Sequence, residues 1–152
     1  MTEIPVLPGW GRRPFATGRA PYFDRNGQAQ DPFARIFLEV RPGFLPLPVL
    51  AMVDTAAPWC IFEPRIGAFV RENFHWVSKG VPLSTRLGTF RGELYRVPLF
   101  FEALDGEPLD IEATVFVSPD WPGDNFLGYE GLLQRIRFAV DPEVNLFYFG
   151  RI

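Results

Sequence analysis

The stretch LAMVDTAAPWCIF, residues 50–62, is apolar almost throughout, yet Asp54 sits near its middle, followed by Thr55, Ala56 and Ala57. A carboxylate at the end of an apolar strand costs several kcal/mol unless it is paired, hydrogen-bonded or neutralised. Two readings stay open on these residues alone. Asp54 caps a turn, because Asp-Thr begins an Asx-turn readily. Otherwise it is a titrating group held for acid–base chemistry, and then something must share its charge or its proton. The other reactive side chains offer less. Cys60 is the single cysteine and His75 the single histidine. No intrachain disulfide is possible, a cysteine metal site cannot be built, and zinc chemistry is poorly supplied. Cys60 lies in an apolar strand and is expected to pack as a small hydrophobe. GDNFLG and GWG contain glycines but not the spacing of a phosphate loop.

Short strands and turns must position Asp54. The chain has 152 residues, 47% of them hydrophobic and 22% charged, as a folded domain with one core requires. With 16 Pro, 14 Gly and 16 Phe, it favours short strands joined by turns over long helices. Residues 1–31 are rich in Gly, Pro and Arg and show no period, so they read as an irregular arm outside a domain spanning 32–152. FARIFLEV (33–40) and FLPLPVLAMVD (44–54) read as strands. Unbroken apolarity over Val49–Val53 implies burial on both faces, and Pro46 and Pro48 suggest an edge or bulge. EPRIGAFVREN (63–73) has Ile66, Phe69 and Val70 at helical spacing. VPLSTRLG (81–88) and TFRGELYRVPLFFEA (89–103) read as a hairpin whose Gly-flanked tip can move. LDIEATVFV (109–117) alternates cleanly, with Leu109, Ile111, Ala113, Val115 and Val117 on one face. FLGYEGLLQRIRFAV (126–140) begins as a strand, breaks at Gly128 and is expected to form a short helix over 129–136. A last hairpin turns at 141–143.

An apolar strand ending in Asp-Thr-small-small resembles the Asp-Thr/Ser-Gly-Ala signature of aspartic proteases. About thirty residues on, the hairpin at 87–93 resembles their flap, and FLGYEGLLQRIRFAVD (126–141) resembles the closing strand–helix–strand of retropepsins. The order and spacing match from about Phe33 to Phe149. The resemblance is to the bacterial single-domain members rather than the viral ones. It implies an all-β fold, a small closed barrel of the retropepsin type with one or two short helices. It implies that Asp54 is catalytic and meets its equivalent across a two-fold axis. No second Asp-Thr/Ser-Gly occurs here, so the twin must come from another copy, and a homodimer is expected. Two carboxylates that close cannot both ionise readily, so they share a proton. By the same comparison Thr55 bonds across the axis, and the amides of Ala56 and Ala57 donate to the carboxylates. The flap is Leu87, Gly88, Thr89, Phe90, Arg91 and Gly92, which closes over an extended peptide. Leu127 and Gly128 pack beneath the active loop. The match departs in two places. Ala56 stands where the family usually has Gly, and Pro58 and Tyr129 stand where viral members place an acid and an Arg. Trp59 is left between a pocket and a core role.

The net charge is −3, with the signs interspersed, so nucleic acid is not an expected partner. No run approaches a membrane span and the first residues lack a signal-peptide core, so a cytoplasmic protein without membrane contact is expected. No cofactor and no metal are expected. The leading function is an aspartic endopeptidase. The alternatives are a non-catalytic domain of the same fold, used for dimerisation or peptide binding, and an unrelated β-barrel binder in which Asp54 only caps a turn.

Overall fold

The computed structural model describes residues 14–24 and 35–152. Among the described residues eleven strands and one α-helix follow in order: β1 Gly18–Pro21, β2 Phe37–Pro42, β3 Val49–Val53, β4 Cys60–Ile61, α1 Pro64–Asn73, β5 Trp76–Thr85, β6 Gly88–Phe101, β7 Asp105–Gly106, β8 Leu109–Val117, β9 Phe126–Leu127, β10 Ile136–Asp141 and β11 Leu146–Arg151. Six strands pair in the ring β2-β3-β9-β4-β8-β6, and β2 closes it onto β6 through Arg41↔Phe100 and Pro42↔Leu99. The fold is all-β, a small closed barrel. β5 lies outside the ring along β6.

In β8 the other face is also covered at Thr114 and Phe116, while Leu109, Ile111, Ala113, Val115 and Val117 are all buried as expected. They meet Leu38, Val40, Val97, Leu99 and the helix residues Ile66 and Val70 in the main core. α1 starts on Pro64, whose fixed φ and missing N–H suit the first turn. Gly67 lets it approach β8, since a Cβ there would stand 3.3 Å from the Val117 side chain.

Four sequence expectations are corrected. The helix over 129–136 is instead a turn followed by one 3₁₀ turn, Leu133–Arg135. Gly131 has φ +83°, and a Cβ on it would stand 2.3 Å from Thr114 Oγ1, so a helix cannot run through it. β3 is not buried on both faces: only Ala51 is fully enclosed and its neighbours are half-buried. Pro46 and Pro48 precede the strand rather than kink it. Part of the supposed arm is a strand. β1 lies between β11 and β7 in a second sheet, β10-β11-β1-β7, with Gly18 opposite Phe149. Arg19, buried there, binds Asp105 at 2.7 Å and donates to the Tyr148 hydroxyl at 3.3 Å. Beside β1, Tyr22 joins the main core and Phe23 bridges Phe37, while residues 1–13 and 25–31 of the expected arm lie outside the described residues.

Candidate active site

Asp54 is the first residue beyond β3. β9 inserts between β3 and β4, parallel to β3 with Val53 opposite Leu127. The Asp54 amide continues that ladder, donating to the Leu127 carbonyl at 3.0 Å. The loop then folds back on itself. The Ala56 amide donates to Asp54 Oδ1 at 2.9 Å, and the Ala57 amide donates to the Asp54 carbonyl at 3.2 Å. So the Asx-turn exists, and of the two amides expected at the carboxylate only that of Ala56 is there. The carboxylate is half-buried, while Thr55 and Ala56 are exposed. Asp54 therefore sits at the surface end of an apolar strand rather than deep in the core. Among described non-glycine residues only Asn145 has positive φ, so Ala56 holds its place without the backbone freedom of glycine.

The loop is propped from below. Leu127 is fully buried, and a Cβ on Gly128 would lie 2.3 Å from the Trp59 carbonyl carbon and oxygen. The Tyr129 amide donates to the Ala57 carbonyl and the Glu130 amide to the Pro58 carbonyl, both at 2.8 Å. Backbone hydrogen bonds thus join the two segments, with Pro58 and Tyr129 at the junction. Asn125, which the sequence reading missed, adds a second fastening. Its Nδ2 donates to the Leu50 carbonyl at 3.1 Å and its Oδ1 accepts from the Glu63 amide at 2.8 Å, tying β3 to the start of α1.

Cys60 is fully buried beneath the same loop, and burial pushes its thiol up to about 12, with the Gly128 backbone pulling it partly back. It is held as a thiol and cannot serve as a nucleophile near neutrality. We expect thiol reagents at pH 8 to leave the native protein unlabelled and to modify Cys60 fully in denaturant; native labelling at the denatured rate would contradict this placement. Because the folded value lies above the ordinary 9.0, this thiol's contribution to stability is complete below pH 9 and is lost as pH rises toward 12. Unfolding midpoints measured between pH 8 and 11 should therefore fall, and replacing Cys60 by Ala should reduce that dependence.

The hairpin of β5 and β6 turns at Arg86–Leu87, closed by Thr85 opposite Gly88. The Thr85 hydroxyl accepts from the Leu87 amide and donates to the Gly88 carbonyl, each at 3.0 Å. Leu87, Gly88, Thr89 and Arg91 are exposed. Gly92 differs from the expected mobile tip. It is buried, and a Cβ there would meet the Val117 carbonyl oxygen at 2.1 Å, so it fastens β6 to β8 at the hairpin's base. Phe90 faces inward, with its ring edge-on to Trp121 at 5.4 Å, and Trp121 meets Phe126 at 6.0 Å. Trp59 stacks on Phe116 at 5.9 Å and is half-buried. These rings form a second apolar cluster with Ile61 and Leu83, linking the hairpin to the strands that carry the Asp54 loop. Trp121 went unread because its loop, SPDWPGDN, shows no period; Gly123 packs against its indole, which donates to the Asp124 carbonyl at 3.1 Å.

His75 is exposed, beside Trp76, and lies outside this cluster. No group of three or more His, Cys, Asp or Glu side chains among the described residues could hold a metal ion. No described helix is long and apolar enough to cross a membrane.

No protein-family model matches the chain, and no curated protein matches it. Several solved structures are similar to the chain, two of them as follows. One is the retroviral protease-like domain of Ddi1 from Leishmania major, 18% identical over 78% of this chain and 90% of that one, with a TM-score of 0.49. The other is a retropepsin-like aspartic protease from Rickettsia conorii, 18% identical over 86% of this chain and 97% of that one, with a TM-score of 0.45.

Proposed function

We propose that this chain is an aspartic endopeptidase that acts as a homodimer, with Asp54 from each copy forming the catalytic pair. The observation that carries this reading is the setting of Asp54. It follows an apolar strand, stands half-buried at the surface with its loop tip exposed, and is propped by Leu127 and Gly128. An aspartate that only capped a turn would need no such support from a strand inserted between β3 and β4. The half-exposed carboxylate remains accessible to that of a second copy.

In the dimer one carboxylate accepts a proton from a water held between the pair, and the oxygen attacks the scissile carbonyl carbon. The other, protonated, donates to the carbonyl oxygen as the tetrahedral intermediate forms. Proton transfer to the amide nitrogen then lets the C–N bond break. The Ala56 amide holds one oxygen of Asp54 in place during these steps, and Thr55 joins the two loops across the axis. The hairpin tip from Leu87 to Arg91 closes over an extended peptide and bonds its backbone in strand fashion. Phe90 and the rings beneath it form the apolar wall for a substrate side chain.

Cleavage should therefore depend on assembly. Specific activity per chain, measured on a mixed peptide library at mildly acid pH, should rise with protein concentration in parallel with the dimer fraction from sedimentation. Full activity in a strictly monomeric sample would overturn the paired-carboxylate reading. A stable dimer that cleaves nothing would instead assign the fold to dimerisation or peptide binding without catalysis.

A further inference from the structure

The turn between β2 and β3 builds a second site, at the end of those strands away from Asp54. Gly43 has φ +56° and donates its amide to the Pro98 carbonyl at 2.7 Å, which clamps the turn onto β6. A Cβ on Gly43 would come within 2.8 Å of Phe74 Cζ, so the turn also lies hard against the end of α1. Between them opens a cavity of about 530 Å³ lined by Arg41, Phe44, Leu45, Phe74, Pro98 and Phe100, among others. That volume suits a small molecule.

Its chemistry is narrow. Phe44 is 66% exposed, yet its ring sits edge-on to Phe69 at 4.9 Å and beside Phe74 at 6.1 Å. Pro46 and Pro98, both in the lining, have no N–H to offer. Among the described lining residues Arg41 alone is charged. Its guanidinium lies 5.6 Å over the Phe100 ring and meets Glu102 through one contact at 3.3 Å. The Glu102 side chain is 77% exposed, so that pair is a surface one, worth little and readily exchanged. A guanidinium fork favours a carboxylate that can take two parallel hydrogen bonds.

We propose that this cavity binds a small amphipathic monocarboxylate, its apolar body against Phe44, Phe74 and Phe100 and its carboxylate on Arg41 in exchange for Glu102. The site is remote from Asp54 and does not rest on the peptidase reading.

The test uses 3-phenylpropionate and its amide, titrated into the full chain and followed by backbone amide NMR. The acid should shift resonances of residues 41–46 and Phe74, and bind about 10-fold or more tighter than the uncharged amide. Arg41→Gln should abolish that preference, Arg41→Lys should keep part of it, and Glu102→Gln should tighten the acid by a few-fold. Equal binding of acid and amide to the wild type would overturn the proposal without any variant. So would shifts confined to other residues, or an Arg41→Gln protein that still prefers the acid.

Discussion

Replacing Asp54 by Asn is expected to leave a folded dimer that cleaves peptide at least about 10³-fold more slowly, since neither copy can then take a proton from water or share one. The exchange isolates chemistry from structure. Asn keeps an Oδ1 acceptor for the Ala56 amide, so the 2.9 Å bond that shapes the loop is preserved. The Asp54 backbone still donates to Leu127 and accepts from Ala57, because those bonds do not involve the side chain. Asp54→Ala makes the informative contrast, because it loses the Asx-turn as well and should cost about 0.5–1.5 kcal/mol of stability. Unfolding midpoints, sedimentation and cleavage rates on both variants separate the roles. Unimpaired cleavage by Asp54→Asn would overturn the proposal that Asp54 carries the catalysis.

Gly128→Ala should do the larger structural damage. The added carbon would stand 2.3 Å from both the carbonyl carbon and oxygen of Trp59. Those are backbone atoms, so no flexible side chain can swing away, and either the 54–59 loop or β9 must move. Moving the loop weakens the bonds from Tyr129 to Ala57 and from Glu130 to Pro58. Overpacking of this kind costs about 3 kcal/mol or more, which in a chain of this size lowers Tm by roughly 6–12 °C. Activity should fall further than the folded fraction does, because the displaced loop carries the carboxylate. A variant with wild-type Tm and rate would mean that the loop does not depend on this close approach.

The sequence carried the local patterns well and the long-range ones poorly. The alternation of Leu109 to Val117, the spacing of Ile66, Phe69 and Val70, and the Gly-flanked hairpin all report on neighbours a few residues away, and each became the expected element. Asp54 stood out because a charge ends an apolar run. The insertion of β9 between β3 and β4 left no trace beyond Phe126–Leu127, since two residues have no period and their partners, Met52, Val53 and Ile61, are more than sixty positions distant. The pattern of Leu132, Leu133 and Ile136 suits a helix, but Gly131 takes a positive φ close against Thr114, where no helix can continue. Gly92 looked like a hinge because glycine permits motion; here its lack of a side chain permits contact with β8 instead. Asn125 and Trp121 were hidden in an aperiodic loop whose meaning lies in what it touches.

The seating of β1 against β11 bears on how the molecule is made. Arg19 and Tyr148, in contact across that pair, are 129 positions apart. During synthesis from the N-terminus β1 leaves the ribosome with no strand to join, while β2 to β9 already contain all six staves of the barrel. The barrel is thus free to close co-translationally and β1 can meet β7 early, but the second sheet is completed only once β11 emerges, a late, high-contact-order step.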